Sequence, residues 1–133
     1  MIHHWYKSLL PLVLAVWLMP LAARADDFPS PEEIDSFARS ALEIEQLRQT
    51  TLNDIRDKLG QSAVPSLRCH QRDVWQQYEP SVRRSFEQFC RQSAQILDRN
   101  GLSPSRFIEI RKMQNSNPTL KNRVQTQLMQ LMR

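Results

Sequence analysis

The sequence predicts an all-α fold, a small irregular bundle of about four helices that follows an N-terminal signal peptide. The chain of 133 residues has two glycines, so tight hairpin turns are scarce. No segment alternates apolar and polar residues for long enough to predict a strand. Apolar residues recur instead at helical spacing in four stretches, and a proline stands at the start of each.

Residues 1–25 have the three parts of an export signal. Lys7 supplies a cation, residues 9–21 are almost wholly apolar, and Ala23-Arg24-Ala25 has the small-x-small form of a cleavage site. The alternative is an uncleaved anchor, but the apolar run is shorter than the roughly 20 residues that cross a bilayer. We therefore expect export to the periplasm, thylakoid lumen or extracellular medium, no stable membrane span after cleavage, and one helical domain over residues 26–133.

The charge balance disfavours nucleic acid as a partner. The whole chain carries a net charge of +4, and loss of Lys7 and Arg24 with the signal lowers it by two. Proteins that bind nucleic acid through its phosphates usually carry a marked basic excess, and an exported protein seldom meets nucleic acid. The remaining surface is nearly balanced, so we expect a protein or an envelope surface as the partner.

The first predicted helix runs from Pro31 to Leu59. Ser30 and Glu33 form a capping box at its start, and Gly60 ends it. Glu45 and Arg48 interrupt its apolar stripe, which predicts either a kink or a polar seam. Arg48 can lie along the edge of the core and pair with Glu45, or the two can line a groove that contacts a partner.

The second predicted helix, from Pro80 to Arg99, organises the rest of the chain and stops at Asn100-Gly101. Charged residues, Arg84 and Arg91 among them, lie opposite its apolar stripe. That stripe contains seven residues at helical spacing: Val82, Phe86, Phe89, Cys90, Ser93, Ile96 and Leu97.

Residues 60–73 lack a regular apolar spacing, which predicts a connection between helices. The short apolar cluster that contains Trp75 and Tyr78 predicts a brief helical turn that packs aromatic rings over the core. Two shorter helices follow, one from Pro104 that ends at Asn115-Ser116 and one from Pro118 to the C-terminus. Apolar residues cover more than one side of the last helix, so self-association through it is possible. These residues are Leu128, Met129, Leu131 and Met132.

Cys69 and Cys90 are first a disulfide candidate, because compartments outside the cytosol permit oxidation. Cys69, His70 and Cys90 are alternatively three soft metal ligands, although a structural zinc site usually takes four. His70 could also serve as the base for a thiol nucleophile, but adjacent side chains rarely face each other. The sequence has no Cys-x-x-Cys motif and no glycine-rich phosphate loop.

Several short segments resemble an exported bacterial family, common in cyanobacteria, the domain-of-unknown-function family 4168. The resemblance covers essentially all of residues 26–133 and implies an exported helical domain, without an activity or catalytic residues to carry over. The arrangement of Cys69 and Cys90 is similar to a cysteine pair in some members. The segments that carry the resemblance are residues 30–38, 44–47, Cys69, Phe89-Cys90, Ile96-Leu97, Asn100-Gly101-Leu102, Arg106-Phe107 and residues 120–124.

We therefore expect a non-enzymatic binding or structural module of the cell envelope that uses no cofactor and no metal. The alternative is a thiol-dependent or metal-dependent enzyme centred on Cys69, His70 and Cys90. The candidate partner-binding residues are Glu45, Arg48, Arg84, Arg91 and Arg111.

Overall fold

A computed structural model describes residues 27–60 and 63–133. The predicted signal peptide lies outside these residues. The described part of the chain forms four α-helices and a short 3-10 helix, and it contains no strand. This confirms the all-α prediction. The helices are α1 (Pro31–Leu59), α2 (Pro80–Arg99), α3 (Pro104–Ser116) and α4 (Pro118–Leu131), with the 3-10 helix at Arg72–Trp75.

Helix α1 has the bounds that its terminal residues predict. The Glu33 backbone N–H donates to Ser30 Oγ at 3.1 Å, and the Ser30 N–H donates to Glu33 Oε1 at 3.4 Å, which completes the capping box. Gly60 follows the helix with a φ of 85°, a backbone conformation that is costly for residues with a Cβ. The helix is unbroken through the Glu45–Arg48 interruption.

Helix α2 ends in a Schellman motif. The Leu102 N–H donates to the Leu97 carbonyl, and the Gly101 N–H donates to the Asp98 carbonyl, both at 3.0 Å. Gly101 takes a φ of 72° in this turn, and the side chains of Leu97 before it and Leu102 after it are both buried. The turn directs the chain into α3, whose N-cap is Ser103.

Helix α1 packs against α2 and α4, and α3 packs against α4 and α2. Two clusters of buried side chains result. We call the first the helical cluster because it joins the N-terminal half of α1 to the end of α2 and to α3 and α4. Its buried members are Ile34, Phe37, Leu97, Leu102, Ile110, Leu120 and Val124.

We call the second the disulfide cluster. It joins the C-terminal half of α1 to the first half of α2, the 3-10 helix and the connection before it. Trp75 is 2% exposed and stacks on Phe86 with ring centroids 4.8 Å apart, as expected for an aromatic turn over the core. The buried members are Ile55, Trp75, Val82, Phe86, Phe89 and Cys90.

Two polar residues that the apolar stripe of α1 did not include are buried. Ser40 is fully buried, and its Oγ accepts a hydrogen bond from Asn100 Nδ2 at 3.0 Å. Thr51 is 9% exposed. The stripe was drawn from apolar residues alone, whereas a small polar side chain can be buried where another element supplies its partner.

None of the helices in the described part of the chain is both long enough and apolar enough to cross a membrane.

Candidate functional site

Glu45 and Arg48, which interrupt the apolar stripe of α1, form an ion pair on a continuous helix. Arg48 Nε donates to Glu45 Oε2 at 2.7 Å and Arg48 Nη2 donates to Glu45 Oε1 at 2.5 Å. The Arg48 hydrogen bond holds the pKa of Glu45 below its usual value. Both side chains remain almost half exposed, so the pair lies at the edge of the core and within reach of a partner.

This pair lines one of two adjoining cavities of about 450 and 650 Å³. Both cavities lie between the two core clusters, and we call them together the central groove. Five residues line both: Ile44, Leu67, Phe89, Phe107 and Arg111.

Each wall of the central groove comes from a different element. Ile44 of α1 packs against both core clusters, and Phe89 of α2 is 5% exposed, so the floor is part of the packed interior. Phe107 of α3 stacks on Phe37 with ring centroids 4.8 Å apart. Leu67 belongs to the connection before the 3-10 helix. These contacts hold the apolar surface in place without a ligand.

The rim of the central groove is basic. Arg48 and Lys121 line the smaller cavity, Arg68 lines the larger, and Arg111 lines both. Glu45 is the one carboxylate among the residues that line the groove, and Arg48 pairs with it. Within the described residues, Arg68, Arg111 and Lys121 form no ion pair.

The structure brings three of the five predicted binding residues together at this rim: Glu45, Arg48 and Arg111. Arg84 and Arg91 do not join them. Both are exposed on α2 and neither lines the groove.

Cys69 and Cys90 are joined by a disulfide, with their Cα atoms 5.6 Å apart. The bond links the connection that carries Leu67 and Arg68 to the middle of α2, and Cys69 and His70 line the larger cavity. Both sulfur atoms are used, so neither thiol is available as a nucleophile in this state. Across residues 27–60 and 63–133, no group of three His, Cys, Asp or Glu side chains is placed to hold a metal ion.

A polar cluster between α1 and α2 was not predicted. Ser85 Oγ donates to Asp54 Oδ2 at 2.6 Å and accepts from Lys58 Nζ at 2.8 Å. The Ser85 hydrogen bond, with that from Lys58, keeps the pKa of Asp54 below its usual value. Because Lys58 donates to the serine, it is not placed to accept the serine proton, and the cluster is a contact between helices. The i, i+4 spacing of Asp54 and Lys58 was visible in the sequence, but the partner on α2 was not.

A second polar cluster joins the start of α1 to α3. Arg106 Nε donates to Glu33 Oε2 at 2.6 Å, and Arg106 Nη1 donates to Glu109 Oε2 at 3.0 Å. The Arg106 hydrogen bond lowers the pKa of Glu33, and the same contact raises the pKa of Arg106. Glu33 therefore serves both the capping box and a contact between helices.

These features define a class of protein: a small all-α bundle with one disulfide and an open apolar groove that has a basic rim. The model of the family described as Domain of unknown function (DUF4168) matches residues 30–124, and the chain belongs to this family. The match contains every residue that lines the central groove except Leu128 and Gln125 at its edge. No curated protein and no solved structure matches the chain.

Proposed function

We propose that this protein is an exported, non-enzymatic binding module of the cell envelope, and that its partner binds in the central groove. The observation that carries the proposal is the groove itself, an apolar floor between two packed clusters with exposed cations around it. Small-molecule and cofactor sites are typically concave, largely preformed and mostly apolar, with a few polar groups.

The size of the groove supports this proposal. Ligand sites usually enclose roughly 300–1,000 Å³. The two cavities, at about 650 and 450 Å³, both lie in that range. Their shared floor lets one occupant contact α1, α2 and α3 at the same time.

A binding role also fits the chemistry of the residues around the groove better than the thiol-dependent alternative does. That alternative requires a free Cys69 beside His70, whereas the Cys69 sulfur is bonded to Cys90. Mass spectrometry of the unreduced protein tests this point. A mass two units below that of the dithiol form supports the binding role, and free thiols would favour the enzyme.

Site-specific crosslinking tests the location of the binding site. Ile108 lines the larger cavity and is 41% exposed, whereas Val74 is 38% exposed and lies outside the groove. A photoreactive amino acid at position 108 of the full chain should form an adduct in the native host, and the same amino acid at position 74 should not. Equal labelling at both positions, or none at position 108, would contradict the proposed site.

Export and processing need their own test. We expect the protein recovered from the envelope or the medium to begin at Asp26. Intact mass would show this directly, and cell fractionation would identify the compartment. A protein that retains residues 1–25 would instead favour the anchor.

Self-association through the C-terminal helix remains a separate prediction. Met129 and Met132 are 56% and 63% exposed, whereas Leu128 packs against the helical cluster. Light scattering of the exported protein should detect a dimer if these side chains form an interface, and Met129→Ser with Met132→Ser should abolish it.

A further inference from the structure

We propose that the central groove binds a fatty-acid-type amphiphile, a single apolar chain that ends in a carboxylate. This inference rests on the proposed binding function and names the chemistry of the ligand. It follows from the apolar floor, the basic rim, an unused hydroxyl in the wall and the charge contrast with another cavity of the protein.

The floor of the groove suits an acyl chain. Most of the side chains that line the larger cavity are aliphatic or aromatic, and they come from three helices and the connection. A chain laid along them would remove apolar surface from water on both the protein and the ligand, which favours binding. The apolar side chains that define this floor are Ile44, Leu67, Phe89, Leu97, Phe107 and Ile108.

The rim suits an anionic head. Arg68 and Arg111 both line the larger cavity, and the residues that line it include no carboxylate. Arginine presents a planar set of N–H donors that matches the two oxygens of a carboxylate. A neutral ester carbonyl accepts weaker hydrogen bonds from these guanidinium groups, and a cationic head is repelled by them.

The wall of the groove contains a buried polar atom without a hydrogen-bond partner in the described part of the chain. Ser93 also lines the larger cavity, and its Oγ is buried and has no hydrogen-bond partner among the described residues. A buried hydroxyl without a partner is destabilising, because it has lost its hydrogen bonds to water. A ligand oxygen can supply that partner, which a pure hydrocarbon cannot do.

The central groove differs in charge from the cavity between α1 and α2. The cavity of about 390 Å³ between α1 and α2 contains Asp54 together with Lys58, and these neutralise each other. The central groove has four cations on its rim and one carboxylate, which is already paired. The complementary ligand is therefore an anion.

Calorimetry on the protein exported from the full chain tests the inference with three probes. Dodecanoate has the chain and the charge, methyl dodecanoate has the chain without the charge, and butanoate has the charge without the chain. We expect dodecanoate to bind at one molecule per chain. The methyl ester should bind about tenfold more weakly, because it loses charge-assisted hydrogen bonds. Butanoate should show no binding at the same concentrations.

Variants at the rim separate the head contact from the apolar contact. Arg111→Gln and Arg68→Gln should each weaken the binding of dodecanoate by about tenfold and leave the affinity for the methyl ester unchanged. Lys112→Gln is the matched control, because Lys112 is the exposed neighbour of Arg111 on α3 and does not line the groove. Circular dichroism of each variant would show that the fold is retained.

The outcomes distinguish this inference from the function on which it rests. Equal affinity for dodecanoate and its methyl ester, or no binding of dodecanoate, would overturn the fatty-acid assignment. Sedimentation with phosphatidylglycerol vesicles in the absence of dodecanoate binding would also overturn it and identify a membrane surface. A protein adduct at position 108 without dodecanoate binding would overturn the assignment but keep the binding module. The absence of both would contradict the two proposals together.

Discussion

The two core clusters are specified by different kinds of interaction. Helices α1, α3 and α4 begin at the helical cluster, and each has a side-chain cap, from Ser30, Ser103 and Asn117. Helix α2 begins at the disulfide cluster, and the side chain of Glu79 at its N-cap accepts no hydrogen bond from the first turn. Side-chain caps therefore mark the helix starts at one end of the molecule, whereas a disulfide and stacked aromatic rings hold the helix start at the other.

The central groove lies where these two ends meet. Ile44 packs against both clusters, and Leu67 reaches the groove from a connection that the disulfide attaches to α2. The ligand site thus depends on both ends, although their stability has different origins. Four changes test that difference, and we take them in order of expected effect.

The largest effect is expected from truncation of a fully buried side chain in each cluster. Phe86→Ala should cost about 3–5 kcal/mol at the disulfide cluster, and Leu120→Ala about 2–5 kcal/mol at the helical cluster, since each leaves a cavity. Because α1 and α2 run through both clusters, chemical denaturation should show one transition in each variant. Trp75 fluorescence, which reports on the disulfide cluster, should coincide with circular dichroism, which reports on all helices. Separate transitions would show that the two ends unfold independently.

The next effect is expected from removal of the disulfide. The cysteines are 21 residues apart, and closure of a loop of that size contributes roughly 3 kcal/mol in the chain-entropy model. Cys69→Ser with Cys90→Ser should lower the free energy of unfolding by that amount. Hydrogen exchange should accelerate around Trp75 and less around Ile110.

The same double variant should lose affinity for a groove ligand, because Leu67 and Arg68 would no longer be held beside α2. A reducing agent applied to the unmodified protein provides the control and should produce both effects. If the melting temperature is unchanged by reduction, the disulfide contributes nothing to this end of the molecule.

A smaller effect is expected at the helical cluster from Arg106→Ala, about 1–2 kcal/mol, because Glu33 and Glu109 lose a charged hydrogen-bond donor. Arg39→Ala is the matched control. Arg39 pairs with Asp35 on the exposed face of α1, so its loss should cost less than about 0.5 kcal/mol.

The same contact predicts a pH dependence. The pKa of Glu33 is lower in the folded protein than in the unfolded chain, so the carboxylate stabilises the fold above the usual glutamate value. That contribution is lost as the pH falls through the lowered pKa. Glu33→Gln should therefore reduce the acid dependence of stability in urea titrations below about pH 4.5. If the free energy of unfolding of Glu33→Gln falls with acid as steeply as that of the unmodified protein, the Arg106 contact is not formed in solution.

The smallest effect is expected at the helix caps. Ser30→Ala should cost about 1 kcal/mol, because the Glu33 N–H loses its acceptor. Glu79→Ala at the uncapped start of α2 should change stability by less than about 0.5 kcal/mol. Thermal unfolding of the two variants would compare the two kinds of helix start directly, and equal losses would remove the distinction between the ends.

The helix boundaries were predictable because each depends on neighbours in sequence. Ser30, Pro31 and Glu33 mark the start of α1, and Asn100-Gly101 marks the end of α2, as the structure confirms. The burial of Ser40 was not predictable, since its partner Asn100 lies 60 residues away.

The candidate site was predictable in part. The break in the α1 stripe pointed to Glu45 and Arg48, and Arg111 was singled out as exposed, but nothing in the sequence placed these residues around one groove. Arg84 and Arg91 looked equivalent to Arg111 and lie elsewhere. Exposure can be inferred from helical periodicity, whereas proximity between helices requires their packing.

Periodicity, capping residues and glycine stops were enough to determine the four helices and their apolar faces, because each of these signals acts over a few residues along the chain. The packing of those helices determined the rest: the division of the core into two clusters, an arginine that links α3 to the start of α1, and a basic groove between the clusters. These features depend on distances between residues that are far apart in the chain, and those distances exist only after the helices have packed.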